Sequence, residues 1–240
     1  MKLTVVFPLY NEEVLLPGLP GVMERIRAAL AEHELSFLAV DDGSVDGTAA
    51  GLERIDGLRV VAHGRNRGVG AAQETGLLQA QGEAAVVYDP DEAYRPEELA
   101  PLVRALEDPG ADLVTLSPYH PEGGVEGVGP LRLWLSKTAS ALYRRRLHSR
   151  LHTFTCAVRA YRLEAVRPLL PLPADFTAAA FLIAGALRAG LRVIEVPARL
   201  HARRAGGSKM RVLRTIRAHL RLLRDLSVTG PDSNRETDRS

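Results

Sequence analysis

Short apolar runs alternate with helical patterns through the first half of the chain. Each run is rich in strand-forming residues, ends in a polar or glycine-containing loop, and is followed by apolar positions at three- and four-residue spacing. Strands that alternate with helices in this way predict a parallel sheet with right-handed crossovers. The predicted strands are 3–7, 37–40, 58–62, 84–88 and 111–116, and the predicted helices end near residues 30 and 81.

The second half begins with a long loop and a helix. Residues 117–130 are rich in Gly and Pro, and a loop of this length usually carries function. Residues 131–148 have a helical pattern, and the residues after 208 predict a second, basic amphipathic helix. That helix either packs its leucines on the domain or lies on an anionic membrane. Its stripes are Arg211, Arg214, Arg217, Arg221 and Arg224, and Leu213, Ile216, Leu220 and Leu223.

The composition is that of a chain that folds without covalent cross-links. Its 240 residues are 46% hydrophobic, enough for one large domain or two small ones. The single cysteine, Cys156, excludes an intramolecular disulfide framework, and no apolar leader follows the N-terminal lysine, so we expect a reducing cytoplasm. The longest weakly polar run, 176–187, is shorter than the roughly 20 residues of a membrane span, so no transmembrane helix is predicted.

The small net charge of +2 hides a division of the chain. Residues 1–112 contain 9 Lys and Arg against 20 Asp and Glu, whereas residues 113–240 contain 22 against 9. The segregation indicates that the second half meets an anionic partner: a phosphorylated substrate, an anionic membrane or nucleic acid. A genome rich in Arg codons explains why only three of the basic residues are Lys, but it does not explain the segregation.

Two aspartates separated by one residue follow the predicted strand 84–88. A strand that breaks at its carboxyl end can aim Asp89 and Asp91 at one point, where parallel sheets open their ligand crevice. A hard divalent cation suits such a pair, and nucleotide phosphates commonly fill its remaining positions. The other interpretation of Asp-Pro-Asp is a simple turn.

Polar residues also follow two other predicted strands. Tyr10 and Glu12 follow the first strand and Asp42 follows the second, so we expect them to meet the aspartates in one cleft. Gly68 and Gly70 lack the full dinucleotide fingerprint and follow the third strand, which argues against a Rossmann dehydrogenase.

Four groups of residues occur in the order of a known set of motifs. They are Pro-Leu-Tyr-Asn-Glu-Glu at 8–13, Val-Asp-Asp-Gly-Ser at 40–44 with Asp46 and Thr48, Asn66 with Gly68 and Ala72, and Asp-Pro-Asp at 89–91 with Pro96 and Glu97. They resemble the motifs of family 2 glycosyltransferases of the GT-A fold. Within that family the chain most resembles the polyprenyl-phosphate sugar synthases, such as dolichol-phosphate mannose synthase. The resemblance covers roughly residues 3–210 and includes the segment Arg-Ala-Tyr-Arg at 159–162.

The resemblance implies roles for individual residues. Asp89 and Asp91 would hold Mg²⁺ or Mn²⁺ against the diphosphate, and together with Arg132 they are the expected catalytic residues. The donor nucleotide would be bound by Pro8, Tyr10, Glu12, Asp42 and Asp89, with Asp42 facing the base or ribose. The acceptor phosphate would be bound by Arg132, Ser136, Arg203, Ser208 and Lys209.

The chain departs from the family pattern at several positions. A Gln that often adds a metal contact is Ala93 here, so either Glu92 replaces it or the metal binds more weakly. Pro118 stands where an Arg is usual, and residues 153–159 lack the family's Asp and Gly. The helix near Phe176 lacks the expected acidic residue, which leaves Asp175 as a remote candidate base.

The missing base bears on the acceptor. A sugar hydroxyl needs a positioned base, whereas a phosphate monoester with a second pKa of roughly 6 is already an oxyanion at neutral pH. The departures therefore favour a lipid-phosphate acceptor, or else they indicate a weak or inactive enzyme.

The prediction is an α/β GT-A fold with a mainly parallel central sheet flanked by helices and a basic helical extension. The predicted GT-A domain covers residues 1–207 and has a nucleotide-sugar half (1–115) and an acceptor half (116–207). It is followed by the amphipathic helix (208–228) and a disordered tail (229–240). The expected activity is metal-assisted, inverting transfer of a sugar from a GDP- or UDP-sugar to a polyprenyl phosphate. It is placed in the cytoplasm or at the cytoplasmic face of a membrane, without a nucleic-acid partner. The alternative is an inactive protein of this fold that binds nucleotide sugar or anionic lipid.

Overall fold

A central sheet with helices on both faces organises the computed structural model, which describes residues 1–202 and 212–228. The strands are β1 (Lys2–Leu9), β2 (Glu34–Asp41), β3 (Leu58–Ala62), β4 (Ala84–Val87), β5 (Ala111–Ser117), β6 (Gly124–Glu126), β7 (Arg159–Arg162), β8 (Arg192–Pro197) and β9 (Arg199–His201). The α-helices are α1 (Leu19–Ala29), α2 (Thr48–Leu52), α3 (Val69–Gln79), α4 (Leu99–Glu107), α5 (Pro130–Arg146), α6 (Leu163–Val166), α7 (Ala178–Arg188) and α8 (Val212–Val228).

The main sheet has the strand order β3-β2-β1-β4-β7-β5-β8. The pairs β1–β2, β2–β3, β1–β4 and β5–β8 are parallel, which confirms the prediction of a mainly parallel sheet. Strand β7 runs antiparallel to β4 and β5, and its first residue, Arg159, lies opposite Val87 and Thr115. The segment that precedes β7 therefore lies at the same edge as the carboxyl ends of the parallel strands.

Alternating residues of β1 supply the two hydrophobic cores. Val5 and Phe7 face a cluster that contains the apolar sides of α1 and α4, and Val6 faces a second cluster formed with α3 and α7. Because side chains of a strand alternate between faces, one apolar run serves both cores. The sheet is thus covered on both sides, and its carboxyl edge remains for a site.

Two details of the fold were not apparent from the sequence. The short strand β6 lies inside the loop predicted for 117–130 and pairs in parallel with β9. The predicted first helix begins with a 3₁₀ turn (Glu13–Gly18) that contains Pro17, and α1 starts only afterwards. Proline lacks an amide hydrogen, so it favours a break between these two segments.

The amphipathic helix α8 packs on α5. His219 Nδ1 lies 2.9 Å from Tyr143 Oη, and Leu226 is buried in the second core. Leu223 is half-buried, whereas the side chains of Leu213 and Leu220 are 72% and 55% exposed. The predicted apolar stripe therefore divides between the core and the surface. Residues 208–211 of the predicted helix lie outside the described residues, and within the described ranges no helix is long and apolar enough to cross a membrane.

Candidate functional site

Hydrogen bonds join the loops after β1 and β2 at the carboxyl edge of the sheet. The amide of Asn11 donates to Ser44 Oγ at 2.8 Å, and Asn11 Oδ1 accepts from the amide of Val45 at 2.8 Å. The amide of Glu12 donates to Thr48 Oγ1, also at 2.8 Å. Several of the motif residues thus hold the two loops together, with Tyr10 and Glu12 half-buried between sheet and solvent.

Asp42 lies at this edge, but its carboxylate is engaged inside the protein. Oδ1 lies 2.7 Å from His63 Nδ1 and accepts from the amide of Arg67, and Oδ2 accepts from the amide of Gly68 at 2.7 Å. The residue is 2% exposed. These contacts join the loop after β3 to the loop after β2. The expected contact of Asp42 with a base or ribose stays a prediction.

The glycines of the β3 loop allow a close approach of the segment before α7. Gly68 has φ +103°, and a Cβ there would lie 2.2 Å from the carbonyl oxygen of Ala174. A Cβ on Gly70 would lie 1.8 Å from the carbonyl oxygen of Pro173, and the amide of Gly70 donates to Ala174 O at 2.9 Å. Only glycine fits at these two positions, so this loop is held from two sides.

The two aspartates follow the end of β4. Asp89 is half-buried, and Asp91 is buried with Oδ1 accepting from the amide of Ala93 at 2.9 Å. The hydroxyl of Tyr88 donates to the carbonyl of Tyr94 at 2.6 Å, which closes the loop beneath them. Burial raises the pKa of Tyr88, and the negative charges of Glu92, Asp91 and Asp89 raise it further. The loop is therefore a region of concentrated negative charge.

Glu92, the alternative to the Gln that is absent at Ala93, forms an ion pair with an arginine. Its carboxylate lies 2.5 Å from Nη1 of Arg25 on α1, and the same guanidinium donates to both carboxylate oxygens of Glu97 at 2.8 Å. The ion pair directs Glu92 to α1, and the alternative that Glu92 adds a metal contact stays a prediction. Arg25 thereby holds both ends of the segment 92–97, which follows the aspartates.

The donor atoms that remain fit a hard cation. Within the described residues no group of three or more His, Cys, Asp and Glu side chains could hold a metal ion. Two carboxylates without nitrogen or sulfur ligands suit Mg²⁺ or Mn²⁺, which fill their other positions with phosphate oxygens and water. Asp89 and Asp91 as metal ligands stay a prediction.

A fully buried arginine lies opposite Val87, two residues before Asp89. Arg159 is 0% exposed, and its guanidinium donates to the carbonyls of Phe154 (2.9 Å) and Ala179 and to Thr115 Oγ1 (3.4 Å). Burial raises the pKa of Cys156, the charge of Arg159 lowers it, and the charge of Asp89 raises it further. The sequence marked Arg159 only as part of a strand motif, without any signal of its burial.

The predicted acceptor residues divide between described and undescribed parts of the chain. Ser136 Oγ lies 2.6 Å from Thr155 Oγ1, which joins α5 to the segment before β7, and Arg132 is exposed on the first turn of α5. Burial raises the pKa of Tyr119, and a hydrogen bond with Ser136 and the charge of Arg132 oppose that shift, so Tyr119 lies with both. Arg203, Ser208 and Lys209 lie outside the described residues.

The remote candidate base Asp175 has a structural contact. Its Oδ1 accepts from the amide of Thr177 at 2.9 Å and from the hydroxyl of Thr177 at 2.5 Å, immediately before α7. These bonds favour a carboxylate that holds the start of the helix rather than one that takes a proton from a substrate.

The chain is similar to known proteins over most of its length. Residues 4–170 match the family described as glycosyl transferase family 2. Polyprenol monophosphomannose synthase of Mycolicibacterium smegmatis is 36% identical over 217 residues, which cover 86% of this chain and 80% of that protein. Dodecaprenyl-phosphate galacturonate synthase of Rhizobium johnstonii is 29% identical over 230 residues, which cover 93% of this chain and 66% of that protein.

A solved structure shares the fold. Glucosyl-3-phosphoglycerate synthase from Mycobacterium tuberculosis, crystallised with Mn²⁺, uridine diphosphate and glucosyl-3-phosphoglycerate, superposes with a TM-score of 0.68. The match covers 97% of this chain and 81% of that one at 21% sequence identity. At this identity the likeness concerns the architecture of the sheet and its helices.

Proposed function

Since the chain belongs to glycosyl transferase family 2 and has an α/β GT-A fold, we propose that it moves a sugar from a nucleotide sugar to a polyprenyl phosphate. Two relatives named as polyprenyl-phosphate sugar synthases support this acceptor class. The proposed donor is a GDP- or UDP-sugar, and the proposed transfer is inverting, with the acceptor phosphate attacking the anomeric carbon in line.

One observation carries the proposal: the carboxylates of Asp89 and Asp91 follow β4 at the sheet edge where the loops after β1 and β2 are joined. We propose that these two residues hold Mg²⁺ or Mn²⁺. Such an ion, when bound, would neutralise the charge that develops on the departing nucleoside diphosphate. Pro8, Tyr10, Glu12 and Asp42 are the proposed residues of the nucleotide pocket beside them.

The acceptor side is proposed to position a phosphate rather than to deprotonate a hydroxyl. Asp175 is hydrogen-bonded to Thr177, and residues 177–179 contain no acid. A phosphate monoester is an oxyanion at neutral pH and needs no base. Arg132 and Ser136, with Arg203, Ser208 and Lys209, are the proposed phosphate ligands, because guanidinium and ammonium groups form strong charge-assisted hydrogen bonds to phosphate.

The proposed acceptor is anchored in a bilayer by its polyprenyl chain. The protein is therefore proposed to act at the cytoplasmic face of a membrane, and its catalytic edge must come close to the head groups.

Incubation with GDP- and UDP-sugars and Mn²⁺, with and without a short-chain polyprenyl phosphate, tests the proposal. We expect a glycosylated lipid phosphate that forms only when the lipid phosphate and the metal are both present. The free polyprenol is the matched control, because it has the same chain without the phosphate, and it should remain unmodified. Binding of a nucleotide sugar without any product would instead favour the non-catalytic binder.

A further inference from the structure

A basic groove lies between α5 and α8, beyond the turns of α5 that contain Arg132 and Ser136. Its volume is about 430 Å³, and it is lined by Leu142, Arg145 and Arg146 of α5 and by Leu223 and Arg224 of α8. Nine residues separate Ser136 from Arg145, which corresponds to about 14 Å along a helix. The groove is therefore a separate feature from the acceptor end of α5.

Contacts with the core fix the two walls of the groove. The ring of Tyr143 stacks on Phe154 with centroids 5.6 Å apart, and its hydroxyl lies 2.9 Å from His219 Nδ1. Nη2 of Arg146 donates to the carbonyl of Leu226 at 3.0 Å, and Leu226 itself is buried. Because these contacts join both helices to the second core, the groove exists before any ligand arrives.

Exposed apolar side chains occur on both of the helices that line the groove. On α5 they are Leu131, Trp134 and Leu142, at helical spacing on one stripe, and the stripe continues to the exposed Arg145. On α8 Leu213 and Leu220 share a stripe with the exposed residues Arg217 and Arg224. Large apolar groups that alternate with arginines on an exposed helix face are typical of helices that lie at a bilayer interface.

The charged side chains of the two helices themselves are almost all positive. The sequence of α5 contains no Asp or Glu, and that of α8 contains one, Asp225. Asp225 contacts Arg224 at 3.2 Å, but both side chains are largely exposed, so the pair is weak. Within the described part of the chain, Arg145 has no hydrogen bond or ion pair.

We propose that α5 and α8 together form a docking surface for an anionic phospholipid bilayer, and that the α5–α8 groove receives the phosphate of a lipid head group. Guanidinium groups suit a phosphodiester because their planar donors match its oxygens. The leucines reach the acyl boundary, and Trp134 lies at the interface, which is the preferred location of Trp in membranes. This proposal rests on the proposed function in one respect: a lipid acceptor requires that the protein work close to a membrane.

The apolar component favours a bilayer over a nucleic acid. A nucleic-acid surface would use the arginines, but it would leave Leu131, Leu142, Leu213 and Leu220 in water. A bilayer accommodates both kinds of side chain. The arrangement also places the first turns of α5, with Arg132 and Ser136, along the same helix that contacts the lipid, so an acceptor phosphate would reach them from the membrane.

The single tryptophan of the sequence provides an intrinsic fluorescent probe of membrane binding. Trp134 is 60% exposed, so its fluorescence in buffer should be that of a hydrated indole. We expect a blue shift on addition of vesicles that contain phosphatidylglycerol, none with phosphatidylcholine alone, and loss of the shift at high salt. Absence of a shift with phosphatidylglycerol, or an equal shift with phosphatidylcholine, would overturn the proposal.

Matched pairs of arginine changes test the groove itself. The double variant Arg145→Gln with Arg224→Gln should weaken vesicle binding by about five-fold per arginine, or roughly 25-fold together, at low salt. The control Arg54→Gln with Arg104→Gln removes the same charge from exposed positions on α4 and after α2 and should have little effect. Equal losses in both pairs would show that net charge alone acts, and the groove would have no specific role.

Two further experiments distinguish a bilayer site from a nucleic-acid site and separate membrane docking from sugar transfer. Double-stranded DNA at the same phosphate concentration should compete poorly with the vesicles, and equal or tighter binding to DNA would contradict a bilayer site. Sugar transfer to a short-chain polyprenyl phosphate, measured without a bilayer, reports on the proposed function independently of membrane docking. Point variants are preferable to deletion of α8, because deletion would uncover the core around Leu226.

Discussion

The two halves of the molecule differ in the charge that most often pairs with the backbone, although Glu195 and Asp175 of the second half also accept from amides. In the first half, carboxylates accept from backbone amides of loops, as Asp41 does from Ser44, Asp42 from Arg67 and Gly68, and Asp46 from Thr48. In the second half, arginines donate to backbone carbonyls near helix ends. Examples are Arg162 to Leu106 O, Arg167 to Ala80 O, and Arg146 and Arg188 to Leu226 O. The last turn of a helix leaves carbonyls without intrahelical partners, which a guanidinium can satisfy.

This difference between the halves changes how the excess of basic residues after residue 113 is interpreted. Part of the basic excess after residue 113 is structural, since Arg159, Arg162 and Arg167 are directed to carbonyls of the protein rather than to a ligand. Among the described residues, exposed arginines on α5 and α8 remain available for an anionic partner. Likewise, most motif aspartates of the first half hold loops in place, and Asp89 with Asp91 are the pair proposed for chemistry.

The largest expected effect is at Asp91. The change Asp91→Asn keeps an oxygen that can accept from Ala93 and removes the charge. We expect the Mn²⁺-dependent gain in nucleoside diphosphate affinity to disappear and sugar transfer to fall by at least about 100-fold. Titration calorimetry with and without Mn²⁺ measures the first effect, and product formation measures the second.

The matched control for Asp91→Asn is Glu92→Gln, which removes one negative charge from the neighbouring residue. Since Glu92 pairs with Arg25, the metal-dependent gain should persist in that variant. Metal-independent binding by the unmodified protein would remove the assignment of Asp89 and Asp91. A loss at Glu92 equal to that at Asp91 would mean that total charge, not ligation, is responsible.

A smaller and more selective effect is expected at Arg132. The change Arg132→Ala should raise the KM for the lipid-phosphate acceptor by roughly ten-fold or more, because one charge-assisted contact with the phosphate is lost. Donor affinity should change little, since Arg132 lies on the acceptor half. Arg144→Ala, an exposed position on the same helix, is the control and should leave both parameters unchanged. Similar losses of donor and acceptor binding would assign Arg132 to the fold or the donor.

Much of the first half could be predicted because its signals are local. Strand β3 has the predicted bounds, and β4 ends one residue earlier than predicted. Strands β1 and β2 extend beyond their predicted runs at both ends, and β5 extends by one residue at its carboxyl end. The apolar periodicity places these elements, and the order of strands and helices fixes the parallel arrangement. The loops after β1 and β2 also meet as predicted, because carboxyl ends of parallel strands share an edge.

The features that could not be predicted depend on long-range contacts. Arg25 and Glu92 are 67 residues apart in sequence, so no local pattern indicates that the carboxylate is already paired. Burial of Arg159 depends on carbonyls of Phe154 and Ala179, which any residue types could supply. The antiparallel direction of β7 depends on how the chain returns from α5, and an apolar run carries no information about direction.

The smallest expected effect concerns the Arg25 clamp on the loop that contains the aspartates. The guanidinium of Arg25 lowers the pKa of Glu97, so the folded protein binds fewer protons there than the unfolded chain in mild acid. The stabilisation is therefore complete at neutral pH and is lost as the pH falls through the lowered pKa of Glu97. We expect Arg25→Gln to reduce the free energy of unfolding by about 1 kcal/mol at neutral pH, since it removes a partly exposed pair with Glu97 and a pair with the more buried Glu92.

Urea unfolding at about pH 7 and about pH 3 measures the difference between Arg25→Gln and the unmodified protein, which should shrink towards zero in acid. The exposed Arg104→Gln is the control and should show no difference at either pH. A difference that is the same at both pH values would mean that Arg25 acts through packing of its aliphatic stem. If Arg25 also orients the loop that contains Asp89 and Asp91, Arg25→Gln should weaken Mn²⁺-dependent nucleotide binding at neutral pH. Unchanged binding would mean that Arg25 contributes only to stability. The orientation of Asp91 would then depend on its hydrogen bond with the amide of Ala93.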